Sequence, residues 1–329
     1  MELSALAIAF VSVALLFDFL NGFHDSCNCV ATVIASRSLS PRAALIMAAI
    51  ADFCGPLIFG VAVAVTLGKG VVAPQAVDIW VAFAALCSAI LWNLLTWYLA
   101  IPSSSSHALV GGLIGSASAA HGFDIIHLDG LAKVLIALFV APLLAFMAGY
   151  IFMKAIFFLV RGASPKINWL FKRLQILASL ILALSHSTND AQKTMGIIAM
   201  GLVIIGYQAE FTVPGWVILA CAGAIALGTL SGGLRLIKTV GTKMYRVRPI
   251  DAFSAQTCSA LVILGAALLG GPVSSTQVAS SALLGVGAAE RVSKIRWKVA
   301  IDIATAWLLT IPVSAVAGAM LYWLFNGLF

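Results

Sequence analysis

Of the 329 residues, 62% are hydrophobic and only 9% are charged, and the mean hydropathy is +1.08. A soluble domain carries about 25% charged residues, so a chain of this length cannot cover a water-facing surface with so few. The formal charge of +7 implies no nucleic-acid partner, because the basic residues fall in short links between apolar runs, as membrane topology requires.

The apolar runs recur along the whole chain, and a run of about 20 residues crosses a hydrocarbon core of about 30 Å as a helix. They do not alternate apolar with polar positions as the strands of an outer-membrane barrel do. The expected fold is therefore an all-α polytopic membrane protein embedded in a lipid bilayer. Ten elements are predicted, over residues 3–35, 42–67, 77–100, 104–120, 130–160, 174–206, 213–231, 251–270, 275–289 and 299–325. The first opens on MELSALAIAFVSVALLFDFL, with no basic start and no small-residue cleavage site, and reads as a membrane helix rather than a cleaved signal. It is too long for one straight span and carries the polar cluster NGFHDSCN at 21–28. The sixth element is also too long and carries HSTNDAQK at 186–193. Both are expected to be broken or doubled helices at the bilayer midplane. The fourth begins within PSSSSH at 102–107 and the ninth within GPVSSTQ at 271–277. The six cysteines all lie in apolar segments and read as small reduced packing residues.

Links near 36–42, 161–173, 235–248 and 290–298 hold fifteen of the nineteen Lys and Arg residues. With ten crossings, all four links fall on the cytoplasmic side and both termini outside. A hairpin at 104–120 or 275–289 that turned back within the membrane would need a compensating crossing, so the expected count is about 10–12 transmembrane helices or hairpins. The 235–248 stretch is expected to anchor that face by contact with anionic lipid.

The chain is also internally repeated. IPSSSSHALVGGLIG at 101–115 matches GPVSSTQVASSALLG at 271–285 at an offset of 170, and the same offset pairs Pro142 with Pro312. NGFHDSCN matches HSTNDAQK at an offset of 165, through Asp25 and Asp190. The reading is a duplication into 1–160 and 174–329, joined by a short cytoplasmic link at 161–173. Five elements per half is an odd number, so the halves enter the membrane with inverted topology, a recurrent plan among secondary transporters.

Two constellations carry chemistry. A carboxylate within the hydrocarbon region costs about 2.5–3.5 kcal/mol at mid-helix and needs a partner or a function. Asp25, with Asn21, His24 and Asn28, and Asp190, with Asn189 and Gln192, offer carboxylate and amide oxygens suited to Na⁺, while either carboxylate is equally a proton carrier. Hydrogen bonding that merely holds the bundle together is the bland alternative. The second constellation is hydroxyl: Ser103, Ser104, Ser105 and Ser106 before His107, and Ser274, Ser275 and Thr276 before Gln277. Each run follows a proline that favours a helix start. Free N–H groups and the positive dipole end then share the space with the hydroxyls, which suits a tetrahedral oxyanion. Capping and close packing by small residues explain one such run equally well; its repetition opposite the duplicated acids favours the anion site.

Other polar residues read more plainly. Lys193 either assists the anion or pairs with Asp190. His24 and His186 either gate protons or make neutral hydrogen bonds. Asp52 and Asp302 have no acidic counterpart at the repeat offset and read as scaffold, and Asp18 is a further embedded acid. Cys27 and Cys29 read as packing, and His121 and His127 as solvated link residues.

The segments 21–28 and 186–193 resemble the paired signatures of the PiT family of inorganic phosphate transporters. The segments at 102–115 and 272–285 are similar to that family's serine-rich loops, in the same order and nearly end to end. The resemblance implies phosphate uptake by symport with H⁺ or Na⁺ in the plasma (inner) membrane, an inverted-repeat fold and a homodimer. It places cation coupling on Asp25, Asn28, Asn189 and Asp190. The anion then falls to Ser104, Ser105, Ser106, Ser274, Ser275 and Thr276, with Asn21, His24, Gln192, Lys193 and Gln277 auxiliary. No metal is implied beyond Na⁺ at Asp25 and Asp190, and no cofactor. Ser187 and Thr188, Cys27 and Cys29, and Lys193 depart from the family pattern and bear on the coupling ion rather than the anion. The expectation is a symporter working by alternating access, not an enzyme. A sulfate or other oxyanion permease of the same fold is the nearest alternative, and an oxyanion channel a further one. A hydrolase built on Ser106, His107 and Asp25 is disfavoured, because adjacent residues project about 100° apart on a helix.

Overall fold

A computed structural model of the chain describes residues 5–72, 77–99, 101–164, 166–232 and 247–328. The first part of the chain supplies α1 (Ala5–Ala35), α2 (Pro41–Ile58), α3 (Ala62–Gly70), α4 (Ile79–Tyr98), α5 (Ser105–His121) and α6 (Leu128–Leu159). The second supplies α7 (Ile167–Ile204), α8 (Gly215–Ser231), α9 (Pro249–Leu268), α10 (Ser275–Glu290) and α11 (Trp297–Leu328). Among the described residues seven helices, α1, α2, α4, α6, α7, α9 and α11, are long and apolar enough to cross a membrane. The turn between α6 and α7 is shorter than the 161–173 link expected from charge, because α7 already begins at Ile167.

The distribution of side chains is that of a membrane protein. Leu143, Leu144 and Ile151 on α6 and Leu308, Val316 and Leu324 on α11 are exposed, whereas Asp18, Asp25, Asp52 and Asp190 are buried. Lipid solvates the outer apolar faces, so polar groups gain only by meeting one another inside.

The expected midplane breaks in the first and sixth elements are absent: α1 runs unbroken for 31 residues and α7 for 38. Asn21, Asp25 and Asn28 recur every three or four positions, as do His186, Asn189, Asp190 and Lys193, so each set forms a stripe on one helical face. Partners from other elements meet these side chains sideways, and no backbone unwinding is required. The interruption falls elsewhere, in the second element, where Gly60 takes φ +80° between α2 and α3.

Helices from the first part of the chain pair with helices from the second: α5 lies along α11, α10 along α6, α1 along α8 and α7 along α2. Several of these contacts are close enough to demand glycine, two of them at matching positions of the internal repeat. A Cβ on Gly115 would stand 1.9 Å from the Ala315 carbonyl oxygen, and one on Gly285 would stand 2.1 Å from that of Phe146. Gly115 and Gly285 stand 170 positions apart, the offset at which their sequence segments match, and each makes the same kind of backbone-to-backbone approach. At 17 and 16 residues, α5 and α10 rise only about 25 Å, short of a full hydrocarbon core. Their N-termini therefore lie inside the protein.

The links sort by charge. Arg37, Lys172 and Arg248 border a single crevice, which brings three basic links to one end. The fourth joins them through Arg248 and Lys294, which both pair with Asp251 and Glu290. Most of the basic stretch 235–248 lies outside the described residues, and its expected lipid contact with it. At the other end of α6, the His127 amide donates to the Val71 carbonyl at 2.9 Å and His121 stands 3.7 Å from Asp78.

Candidate functional site

Both serine runs act as helix caps. Ser104 and Ser274 hold extended backbone, and their hydroxyls accept from the amides of His107 at 3.1 Å and Gln277 at 3.3 Å. Pro102 and Pro272, just upstream, disfavour helix in the residues before them. The N-termini of α5 and α10 consequently start opposite each other in the interior. His107 and Gln277, which are repeat equivalents, meet there with ring Nε2 and amide Nε2 3.4 Å apart.

The stripes of α1 and α7 close on these two starts. Thr276 donates to Asp25 Oδ1 at 2.9 Å and accepts from the Asn28 amide at 3.0 Å. The Ser275 hydroxyl oxygen stands 3.0 Å from Asp25 Oδ2 and 2.7 Å from Asp190 Oδ2. A hydroxyl has one hydrogen to donate, so it serves one carboxylate at a time, and the other faces a lone pair. Ser105 donates to Asn21 Oδ1 at 2.7 Å, and Ser106 donates to the Val273 carbonyl at 2.9 Å. Lys193 donates to Asp190, to the Ser106 hydroxyl at 2.6 Å and to the Val273 carbonyl at 2.8 Å. All of these side chains are buried, the most accessible being Asn28 at 5%.

The carboxylates extend the cluster on both sides. His24 Nδ1 lies 2.9 Å from Asp25 Oδ1. His186 stands between two acids, with Nε2 2.9 Å from Asp190 Oδ2 and Nδ1 3.2 Å from Asp52 Oδ1. Thr229 donates to the second oxygen of Asp52 at 2.6 Å. Ligand atoms of Asp25, His186 and Asp190 all lie within 4.8 Å of one another, a spacing that fits one small cation. The cluster therefore offers oxygen donors for a hard cation beside two dipole-positive helix starts lined with hydroxyls, suited to an anion.

Sequence-based expectation and structure differ at several positions. Asn189 turns away from Asp190: its amide donates to the Gly271 carbonyl at 3.0 Å and accepts from the Val273 amide at 3.1 Å. It fixes the turn before α10 rather than facing the carboxylates. Gln192 also leaves the cluster, its oxygen accepting from the Val63 amide at 2.8 Å. Asp52, read as scaffold, is linked to Asp190 through His186. The missing signal is intelligible, since Asp52 has no acidic counterpart at the repeat offset and gains meaning only when α2 packs on α7. The Val273 carbonyl carries no side-chain signal at all. His107 Nδ1 pairs with Ser104 at 2.6 Å rather than with Ser106, so no Ser106–His107–Asp25 relay forms.

A profile described as the phosphate transporter family matches residues 21–318. The chain belongs to that family. It is 42% identical over 328 residues to a probable low-affinity inorganic phosphate transporter of Bacillus subtilis, with 98% of each chain covered. To a protein of the same description from Rhizobium meliloti it is 44% identical over 319 residues, covering 96% of each. Among solved structures, one titled "The sodium-dependent phosphate transporter" superposes with a TM-score of 0.90, covering 99% of this chain and all of that one, at 23% identity. That likeness shows the fold. Members of the phosphate transporter family are transporters and not enzymes, which sets the hydrolase alternative aside. The paired acids and serine runs at 21–28, 102–115, 186–193 and 272–285 all lie inside the stretch matched to the family.

Proposed function

We propose that this protein carries inorganic phosphate across the inner membrane together with H⁺ or Na⁺, by alternating access. The observation that carries the reading is the meeting of both hydroxyl runs and both repeat acids in one buried cluster. In this reading Ser104, Ser105, Ser106, Ser274, Ser275 and Thr276 hold the anion from the two facing helix starts. Asp25, Asn28 and Asp190 take the cation, and Asn189 assists by fixing the 271–273 backbone. Asn21 and Gln277 support the array by orienting Ser105 and His107.

Burial argues for movement. A solute reaches the cluster only if helices part, and two inverted halves, 1–160 and 174–329, supply equivalent partings toward opposite sides. The pairing of helices from the two parts of the chain and the twin contacts of Gly115 and Gly285 support that plan. The same reading puts the basic ends on the cytoplasmic side and both termini outside, in a homodimer. Coupling follows from charge. Phosphate arriving alone would add negative charge beside Asp25 and Asp190 in a buried site, which costs more than hydroxyl contacts recover. A cation bound with it removes much of that penalty.

The test is uptake of labelled phosphate into proteoliposomes under imposed Na⁺ or pH gradients. Uptake is expected to run uphill under one of them, and to be lost in Asp25→Asn. Uptake indifferent to both gradients would refute coupling. Unlabelled sulfate that competed as well as phosphate would point instead to a general oxyanion permease.

A further inference from the structure

Lys193 is wholly buried, and its ammonium meets three oxygens of three kinds: a carboxylate from Asp190 on α7, a hydroxyl from Ser106 on α5, and the Val273 carbonyl in the turn before α10. Carboxylate, hydroxyl and backbone carbonyl oxygens are what a hard monovalent cation takes as ligands in membrane transporters. At the repeat offset of 165, Lys193 corresponds to Asn28, and at the offset of 170 Ser106 corresponds to Thr276. The contact of Lys193 with Ser106 is therefore the counterpart of the contact of Asn28 with Thr276 at 3.0 Å. One structural position is made twice, once with a neutral amide beside Asp25 and once with an ammonium beside Asp190.

We propose that Lys193 is a tethered cation, filling with its ammonium the seat that a travelling cation would otherwise take beside Asp190. The seat beside Asp25, where Asn28 brings no charge, is then the one left for the co-transported ion. The inference rests on the symport reading and deepens it, since it sets how many mobile cations accompany each anion. It also accounts for the two acids lying so close. With ligand atoms within 4.8 Å of each other and a single Ser275 hydroxyl between them, the carboxylates need positive charge nearby, and Lys193 supplies it without an ion from solution.

Lys193→Asn gives the second seat the composition of the first and opens it to sodium. Wild-type protein, Lys193→Asn and Lys193→Arg are compared in detergent, with sodium chloride exchanged for choline chloride in the absence of phosphate. Lys193→Asn is expected to gain a sodium-dependent rise in melting temperature beyond any shown by wild type, with calorimetry registering about one additional sodium per protein. Lys193→Arg keeps its charge and is expected to respond as wild type does. In proteoliposomes the sodium dependence of phosphate uptake by Lys193→Asn is expected to steepen accordingly. A monodisperse Lys193→Asn protein whose response to sodium equals that of wild type overturns the proposal, whether or not the variant transports. Failure of the wild type to take up phosphate would instead sink the symport reading, and the sodium comparison in detergent would still decide the seat.

Discussion

Removing the ammonium of Lys193 should destabilise the protein more than removing the carboxylate it binds. The two changes break the same ion pair, but they leave different charges behind. At a separation of about 3 Å and an effective dielectric constant of about 20, that pair contributes about 5 kcal/mol of attraction. Lys193→Met forfeits it and leaves Asp25 and Asp190 facing each other without a lysine, so a loss of about 3–5 kcal/mol is expected, as for other buried pairs that lose one partner. Asp190→Asn forfeits the same attraction but also ends the repulsion between the two acids. With ligand atoms of Asp25 and Asp190 no more than 4.8 Å apart, that repulsion is at least about 3.5 kcal/mol on the same scale. The net loss for Asp190→Asn is therefore about 2 kcal/mol, and Lys193 keeps its contacts with Ser106 and Val273. The measurement is equilibrium unfolding by SDS in mixed micelles, in sodium-free choline buffer so that no ion replaces the ammonium. Eight tryptophans provide the fluorescence signal. An Asp190→Asn protein as unstable as Lys193→Met, or more so, would refute the electrostatic account of the cluster.

Three further outcomes are expected. Gly285→Val should lose more than about 2 kcal/mol in the same unfolding assay by forcing α10 off α6, whereas Gly223→Ala, whose Cβ meets nothing within 4 Å, should be neutral or stabilising; equal effects would mean that the close approach is not needed. Thr276→Val preserves shape but strands the Asp25 oxygen and the Asn28 amide, a loss of about 1–3 kcal/mol. Phosphate uptake should fall by about tenfold or more in proteoliposomes, with Thr276→Ser restoring it. Single cysteines introduced by Arg37→Cys, Arg161→Cys and Arg291→Cys in a cysteine-free background should react with an impermeant maleimide from the cytoplasmic side. Phe123→Cys should react from the opposite side, and labelling of all four from one side would overturn the proposed orientation.

Much of the architecture is legible along the chain because membrane burial is a one-dimensional constraint. A helix must stay apolar for about 20 residues, so the helices announce themselves, and their ends follow from prolines, serine caps and basic links. The polar stripes are the instructive exception. Asn21, Asp25 and Asn28 suggest a broken helix if each polar side chain is taken to need an unwound backbone. Their spacing of three and four residues fits equally well with an intact helix whose polar face is met by neighbours, and nothing local distinguishes the two.

By itself, the order of residues determines the helical membrane class, the twofold internal match and the chemical kinds of group available for an anion and a cation, since each depends on composition or on spacing along one element. Which groups touch is a different matter. Contacts between residues such as Asn28 and Thr276, 248 positions apart, exist only once two helix starts are brought face to face. Only the tertiary structure decided that Ser275 stands between Asp25 and Asp190, that Asn189 serves the turn before α10, that Asp52 joins through His186, and that Lys193 rests on three oxygens. Those assignments depend on distances between elements, and distance between elements is what a linear pattern does not contain.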